Sequence, residues 1–204
     1  MKLIWIIKLY LLTAFVGVCY AQNDVDTASN TIVFGHDPRW LLLSDSASQS
    51  IEVIVDDQVN DGCWTNSDAV ATAVKLELKR SGFDVTSTSE TIFPHELKIK
   101  ALGYSNGSAS CLIYYNLQFN MVDVKYRNFG VDNHKVSSVV YSEIYGKSGI
   151  LSGGDSNRRL KTTFVELTQS FLVDISKYQK EVLEKIKESA PPEGKNFWES
   201  YVLK

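Results

Sequence analysis

Cysteine, histidine, methionine and proline are all scarce in this 204-residue chain, at 3, 3, 2 and 4 residues. So few prolines, with only 12 glycines, exclude a collagen-like or low-complexity chain. The histidines stand at 36, 95 and 134, with no His-x-His or His-Glu-x-x-His spacing and none close to a cysteine. A linear zinc motif is therefore absent. Positive charge is not in excess either. The 21 Lys and Arg face 24 Asp and Glu, for a formal charge of −3, so the basic footprint of a nucleic-acid binder is missing. What is present is ordinary globular material, 44% hydrophobic and 22% charged, in a length that suits one core.

Two catalytic motifs are approached and missed. Gly146-Lys147-Ser148 looks like the end of a phosphate loop, but Tyr141 stands where that loop needs its first glycine. Gly149-Ile150-Leu151-Ser152-Gly153 has the composition of a nucleophile elbow without its Gly-x-Ser-x-Gly order, and reads better as a strand-to-helix loop.

The N-terminus carries a compartment signal. Lys2 and Lys8 form a basic start, Leu9 to Val18 is an uncharged apolar run, and Cys19-Tyr20-Ala21 ends in small residues at the positions a signal peptidase reads. Residues 1–21 are thus expected to be a cleaved secretory signal peptide. The apolar run is too short to span a bilayer comfortably, and no transmembrane segment is expected after cleavage. Acylation at Cys19 would need a small residue before it, where Val18 stands. Removing residues 1–21 takes away two lysines and no acid, which leaves a charge of −5. It also leaves two cysteines, Cys63 and Cys111, and in an oxidising compartment these are expected to pair.

Residues 22–50 read as a leader and arm: a polar stretch, then an edge strand or packed arm over Thr31 to Leu43 around Trp40, then a serine-rich loop. A single α/β domain follows over 51–190. Ile51 to Val55 is a mostly buried strand. A helix starts at Asn66 or Ser67, repeats Val70, Val74 and Leu78, and stops at Gly82. Phe83 to Thr86 is β-prone, and Leu97 to Ala101 opens a hairpin that turns at Asn106-Gly107 and returns over Cys111 to Met121. Asn128 to Lys135 reads as a loop and Val136 to Ile150 as a further strand. Leu160, Phe164, Leu167, Phe171, Ile175, Tyr178, Val182 and Ile186 then step by three or four along one long amphipathic helix, ended by Pro191-Pro192. The expected fold is α+β: one antiparallel-rich, mixed β-sheet with two helices packed on one face, in the order β-α-β-β-β-β-α, with a long C-terminal amphipathic helix. The layout resembles small α/β domains of bacterial envelope assembly proteins; the likeness is one of layout, and no residue role follows from it.

No catalytic residue and no cofactor is expected. Asp57, Asp61 and Asp68 form a weak calcium candidate: they fall at ligand positions of a calcium loop, but Val59 occupies another ligand position and Asp68 is shorter than the usual glutamate. Tyr178, Val182 and Ile186 extend further along the helix than a strand of about seven residues, roughly 23 Å long, can cover. With Phe197, Trp198 and Tyr201 of the aromatic tail 191–204, they are expected to bind a protein partner or a second copy. The expected function is an exported, periplasmic or secreted, non-enzymatic domain for protein–protein interaction, in the form of an oligomeric cell-envelope component. The alternatives are an exported hydrolase whose site is no linear motif, and a small-ligand or carbohydrate binder using Tyr104, Tyr114, Tyr115, Tyr141 and Tyr145. Intact-mass measurement of the exported protein is expected to give a chain beginning at Gln22; a mass that retains residues 1–21 would contradict the signal reading.

Overall fold

A computed structural model describes residues 37–44, 50–86, 93–107, 110–129 and 134–203. The signal segment and the leader to residue 36 lie outside them. Five strands form one mixed sheet: β1 (Ser50–Val59), β2 (Asp84–Thr86), β3 (His95–Ser105), β4 (Cys111–Phe129) and β5 (His134–Gly153), in the spatial order β2-β1-β3-β4-β5. β1 runs parallel to β2 and β3, while β3, β4 and β5 are antiparallel neighbours. The helices are α1 (Ser67–Arg80), α2 (Ser156–Ser189) and α3 (Pro192–Ser200), with a 3-10 helix over Pro38–Ser44. This is the α+β fold expected, with its mixed sheet and long C-terminal helix.

Period-two alternation decides which residues enter the core. Ile51 and Val53 of β1, Leu97, Ile99 and Ala101 of β3, and Ile113, Leu117, Phe119 and Met121 of β4 are buried on one face. Val70, Val74 and Leu78 of α1 and Leu160, Phe164, Phe171 and Ile175 of α2 join the same cluster. α1 ends because Gly82 takes a φ of +88°, which lets its N–H reach Lys79 O and the Phe83 N–H reach Leu78 O. A residue with a Cβ adopts that conformation only under strain.

Several local expectations change. The segment around Trp40 takes the packed alternative, as a 3-10 helix rather than an edge strand. Trp40 is buried with its ring 6.2 Å from Phe119, 6.4 Å from Phe171 and 5.6 Å from Tyr178, and its carbonyl accepts a bond from Gln179. Asn66 precedes α1 but makes no side-chain cap; its amide donates instead to Asn157 O. At the hairpin the Asn106 N–H donates to Ser110 O, and Gly107 takes a φ of +85°. The strands reach into the loop expected over 128–135: β4 runs to Phe129 and β5 starts at His134. Residues 149–153 continue β5 rather than forming a loop. The long helix does stop before Pro191-Pro192: it ends at Ser189, and Ala190 ahead of Pro191 is extended, while Pro192 has a second role. It opens α3, since a missing N–H costs nothing in the first turn of a helix.

Cys63 and Cys111 are bonded, with Cα atoms 5.9 Å apart. The bridge ties the segment before α1 to the first residue of β4, and the Ser156 hydroxyl at the start of α2 donates to Cys63 O beside it. Replacing both cysteines by alanine is expected to lower unfolding stability by about 4 kcal/mol in the chain-entropy account of a 48-residue separation. Urea titration of the two proteins measures this; an unchanged stability would show that the bridge does not constrain the unfolded chain.

Candidate functional site

The face of the sheet opposite the helices is the most distinctive surface. Side chains there come from the alternate positions, and the register sets them in rows. Leu102 of β3 pairs with Tyr114 of β4, which pairs with Ile150 of β5; in the next row Tyr104 pairs with Leu112. All five are exposed, Ile150 to 73%. With Asn60 and Gly103 they line a shallow hollow of about 380 Å³. Gly103 opposes Ile113, and a Cβ on it would lie 2.9 Å from the Ile113 Cα, so the two strands approach only because position 103 is bare. The middle of the same face is polar: Lys98 pairs with Glu96, Lys100 with Asp56, and Gln118 bonds Glu143 and Asn120. Apolar character therefore gathers toward the two ends of the face: this group nearest the disulfide, and Tyr141, Val124 and Val139 toward the far ends of β4 and β5.

A second grouping lies between β5 and α2. Lys147 Nζ is 2.6 Å from Ser170 Oγ and 2.9 Å from Asp174 Oδ2, and the Tyr145 hydroxyl donates to the same carboxylate at 3.1 Å. A serine beside a lysine invites a nucleophile reading, which needs the lysine neutral. Here the Tyr145 hydroxyl and then the Asp174 carboxylate hold Lys147 above its ordinary value, and Lys147 holds Asp174 below its own. The lysine stays protonated and clamps β5 onto α2. Burial raises Tyr145.

His95 is the buried histidine. Its Nδ1 accepts the Val122 N–H at 3.1 Å, which places the neutral ring's proton on Nε2, and its edge meets Phe119. Desolvation holds it below its usual value. The side chains of His36 and His134 lie outside the described residues.

The calcium candidates do not gather. Asp57 accepts the Val59 N–H, Asp61 at a φ of 60° accepts the Ser105 N–H, and Asp68 sits in the first turn of α1. Among the described residues no three His, Cys, Asp or Glu side chains come together to hold a metal. Of the six expected contact residues, Val182 is 2% exposed and Tyr178 packs on Trp40, so these are taken up within the chain, while Ile186 is half-buried. Phe197 and Trp198 of α3 and Tyr201 just after it form their own cluster, with centroids 5.0–6.1 Å apart and Phe197 60% exposed. The five tyrosines divide: Tyr104, Tyr114 and Tyr141 face outward, Tyr115 and Tyr145 inward toward α2. Leu102, Leu112 and Ile150 carry no motif; their only sequence signal is an apolar residue at every second position on a strand already apolar on its other face.

No protein-family model matches the chain, and no curated protein matches it. Among solved structures, a minor lipoprotein from Acinetobacter baumannii is similar at a TM-score of 0.33 and 12% identity, over 63% of this chain and 91% of that one. That degree of likeness carries no argument about role. No described helix is long and apolar enough to cross a membrane.

Stability is expected to be full above the ordinary histidine value of about 6.5 and to fall as pH drops below it. The unfolded chain then binds a proton that buried His95 does not. Urea midpoints between neutral pH and pH 5 measure the slope, at most about 1.4 kcal/mol per pH unit for one proton. His95→Asn, which keeps an acceptor for Val122, is expected to flatten it; an equal slope in both proteins would place the proton elsewhere.

Proposed function

We propose that this chain is an exported, non-enzymatic domain that binds a protein partner through the apolar end of its outer sheet face nearest the disulfide. The observation that carries the reading is the contiguous exposure of Leu102, Tyr104, Leu112, Tyr114 and Ile150 across three strands. Scattered apolar residues are normal on a surface, whereas a contiguous group marks a contact. Tyrosine is among the residues enriched in binding hot spots, and two stand in this group. Export is supported by the Cys63–Cys111 bridge, which suits an oxidising periplasmic or extracellular setting, and by the N-terminal signal pattern. The non-enzymatic reading is supported by the state of Lys147, which leaves Ser170 without a base. In its finer form the proposal is an oligomeric cell-envelope component, with Phe197, Trp198 and Tyr201 as a second contact. A small-ligand reading is favoured by one observation, the hollow between Tyr104 and Tyr114.

A photo-crosslinking residue at position 150 of the exported full chain is expected to give a protein adduct of defined mass, and the same residue at Gln118 none. Tyr114→Ala is expected to lower the yield by about tenfold, as loss of a hot-spot aromatic does. Equal yields at both positions would overturn the assignment of the face. Position 150 giving no protein adduct would move it to the small-ligand reading.

A further inference from the structure

A second hollow, of about 360 Å³, opens at the edge of the sheet between β5 and the first turns of α2. Its chemistry differs from that of the outer face. Arg158 and Arg159 line it, with Tyr115, Thr162 and Thr163. Tyr115 belongs to β4 and reaches this edge by crossing Gly149, its partner on β5; a side chain at 149 would collide with the Tyr115 hydroxyl. The bare position is thus what brings a phenol to the hollow. Ile150 and Leu151 give it an aliphatic wall beside the Tyr115 ring.

Charge narrows the ligand. Arg159 spends one donor on Ser152 O at 2.6 Å, which fixes its guanidinium against β5, and Arg158 pairs with Asp155 through Nε. Each arginine has five N–H donors, so both keep several for a ligand. Asp155 offsets one of the two guanidinium charges, and one net positive charge remains. Lys161, between Arg159 and Thr162 on α2, is exposed and does not line the hollow, and Lys147, the nearest lysine on β5, is held by Asp174. One net charge, planar donor forks and an aliphatic wall match a monocarboxylate on a short apolar body; a phosphate dianion would leave charge uncompensated.

We propose that this edge hollow binds the carboxylate of a small aliphatic acid, with Arg159 as the principal anchor and Arg158, Tyr115 and Thr162 as further donors. The proposal stands apart from the outer-face contact, with which it shares only the Ile150 wall.

Hexanoate is the probe, titrated into the oxidised exported chain and followed by the arginine Nε resonances. Saturable shifts at Arg159 with a dissociation constant of about 1 mM are expected for a site of this size. Arg159→Gln is expected to weaken binding by about tenfold or more, since a charge-assisted bond is lost. Tyr115→Phe, which keeps the ring over Gly149, is expected to weaken it by a few fold. Neither hexanol nor inorganic phosphate is expected to displace the acid. Shifts that never saturate, equal affinity in Arg159→Gln, or displacement by phosphate at matched concentration would each overturn the proposal.

Discussion

The whole molecule depends on covering one face of a twisted sheet. β1, β3 and β4 each present an unbroken line of apolar side chains to the same side, and a sheet cannot leave such a face in water. α2 supplies most of the cover. Phe164 lies under Trp64 and Tyr115, and Phe171 between Phe119, Tyr145 and Trp40. The polar groups drawn in with it are satisfied locally: Thr168 donates to Phe164 O, Gln179 to Trp40 O and Ser156 to Cys63 O. Among the described residues the Trp64 indole N–H and the Asn66 Oδ1 are the exceptions, buried without a partner.

How much of this is legible in the residues follows from the range of the forces involved. Alternation and helical spacing are local, so the five strands, both long helices and the Gly82 stop can be read directly. Pairing in the oxidised chain is nearly forced once Cys19 is assigned to the signal. The conformation around Trp40 cannot be read, because it is set by three rings from β4 and α2. The lengths of β4 and β5 escape for a similar reason. Past Asn120, β4 has β5 as its partner and no longer β3, and the chemistry of Asn128 to Lys135 alone reads as a loop. The candidate surfaces are the least legible of all. Leu102 and Ile150 become neighbours through Tyr114, and Arg159 meets Tyr115 only because Gly149 lets the ring across.

The free side of β5 explains a further pattern. It is an edge strand of 20 residues, long enough to pair with another chain if left flat. A bulge opposite Phe119 and Asn120 breaks its register, and Lys147 turns inward to α2. These devices disfavour indiscriminate strand pairing, while the side-chain surfaces on either side of the strand stay open. Recognition by side chains rather than by the strand's backbone is the arrangement they leave.

The bridge between Cys63 and Cys111 also decides how the domain bears load. A pull on the chain's two ends passes across the sulfur–sulfur bond and bypasses everything between, which includes α1, β2 and β3. Some 160 Å of contour, at about 3.4 Å for each of the 48 intervening steps, is withheld from extension while the bond is intact. Under tension the oxidised domain is therefore a short spring, and a reducing environment lengthens it.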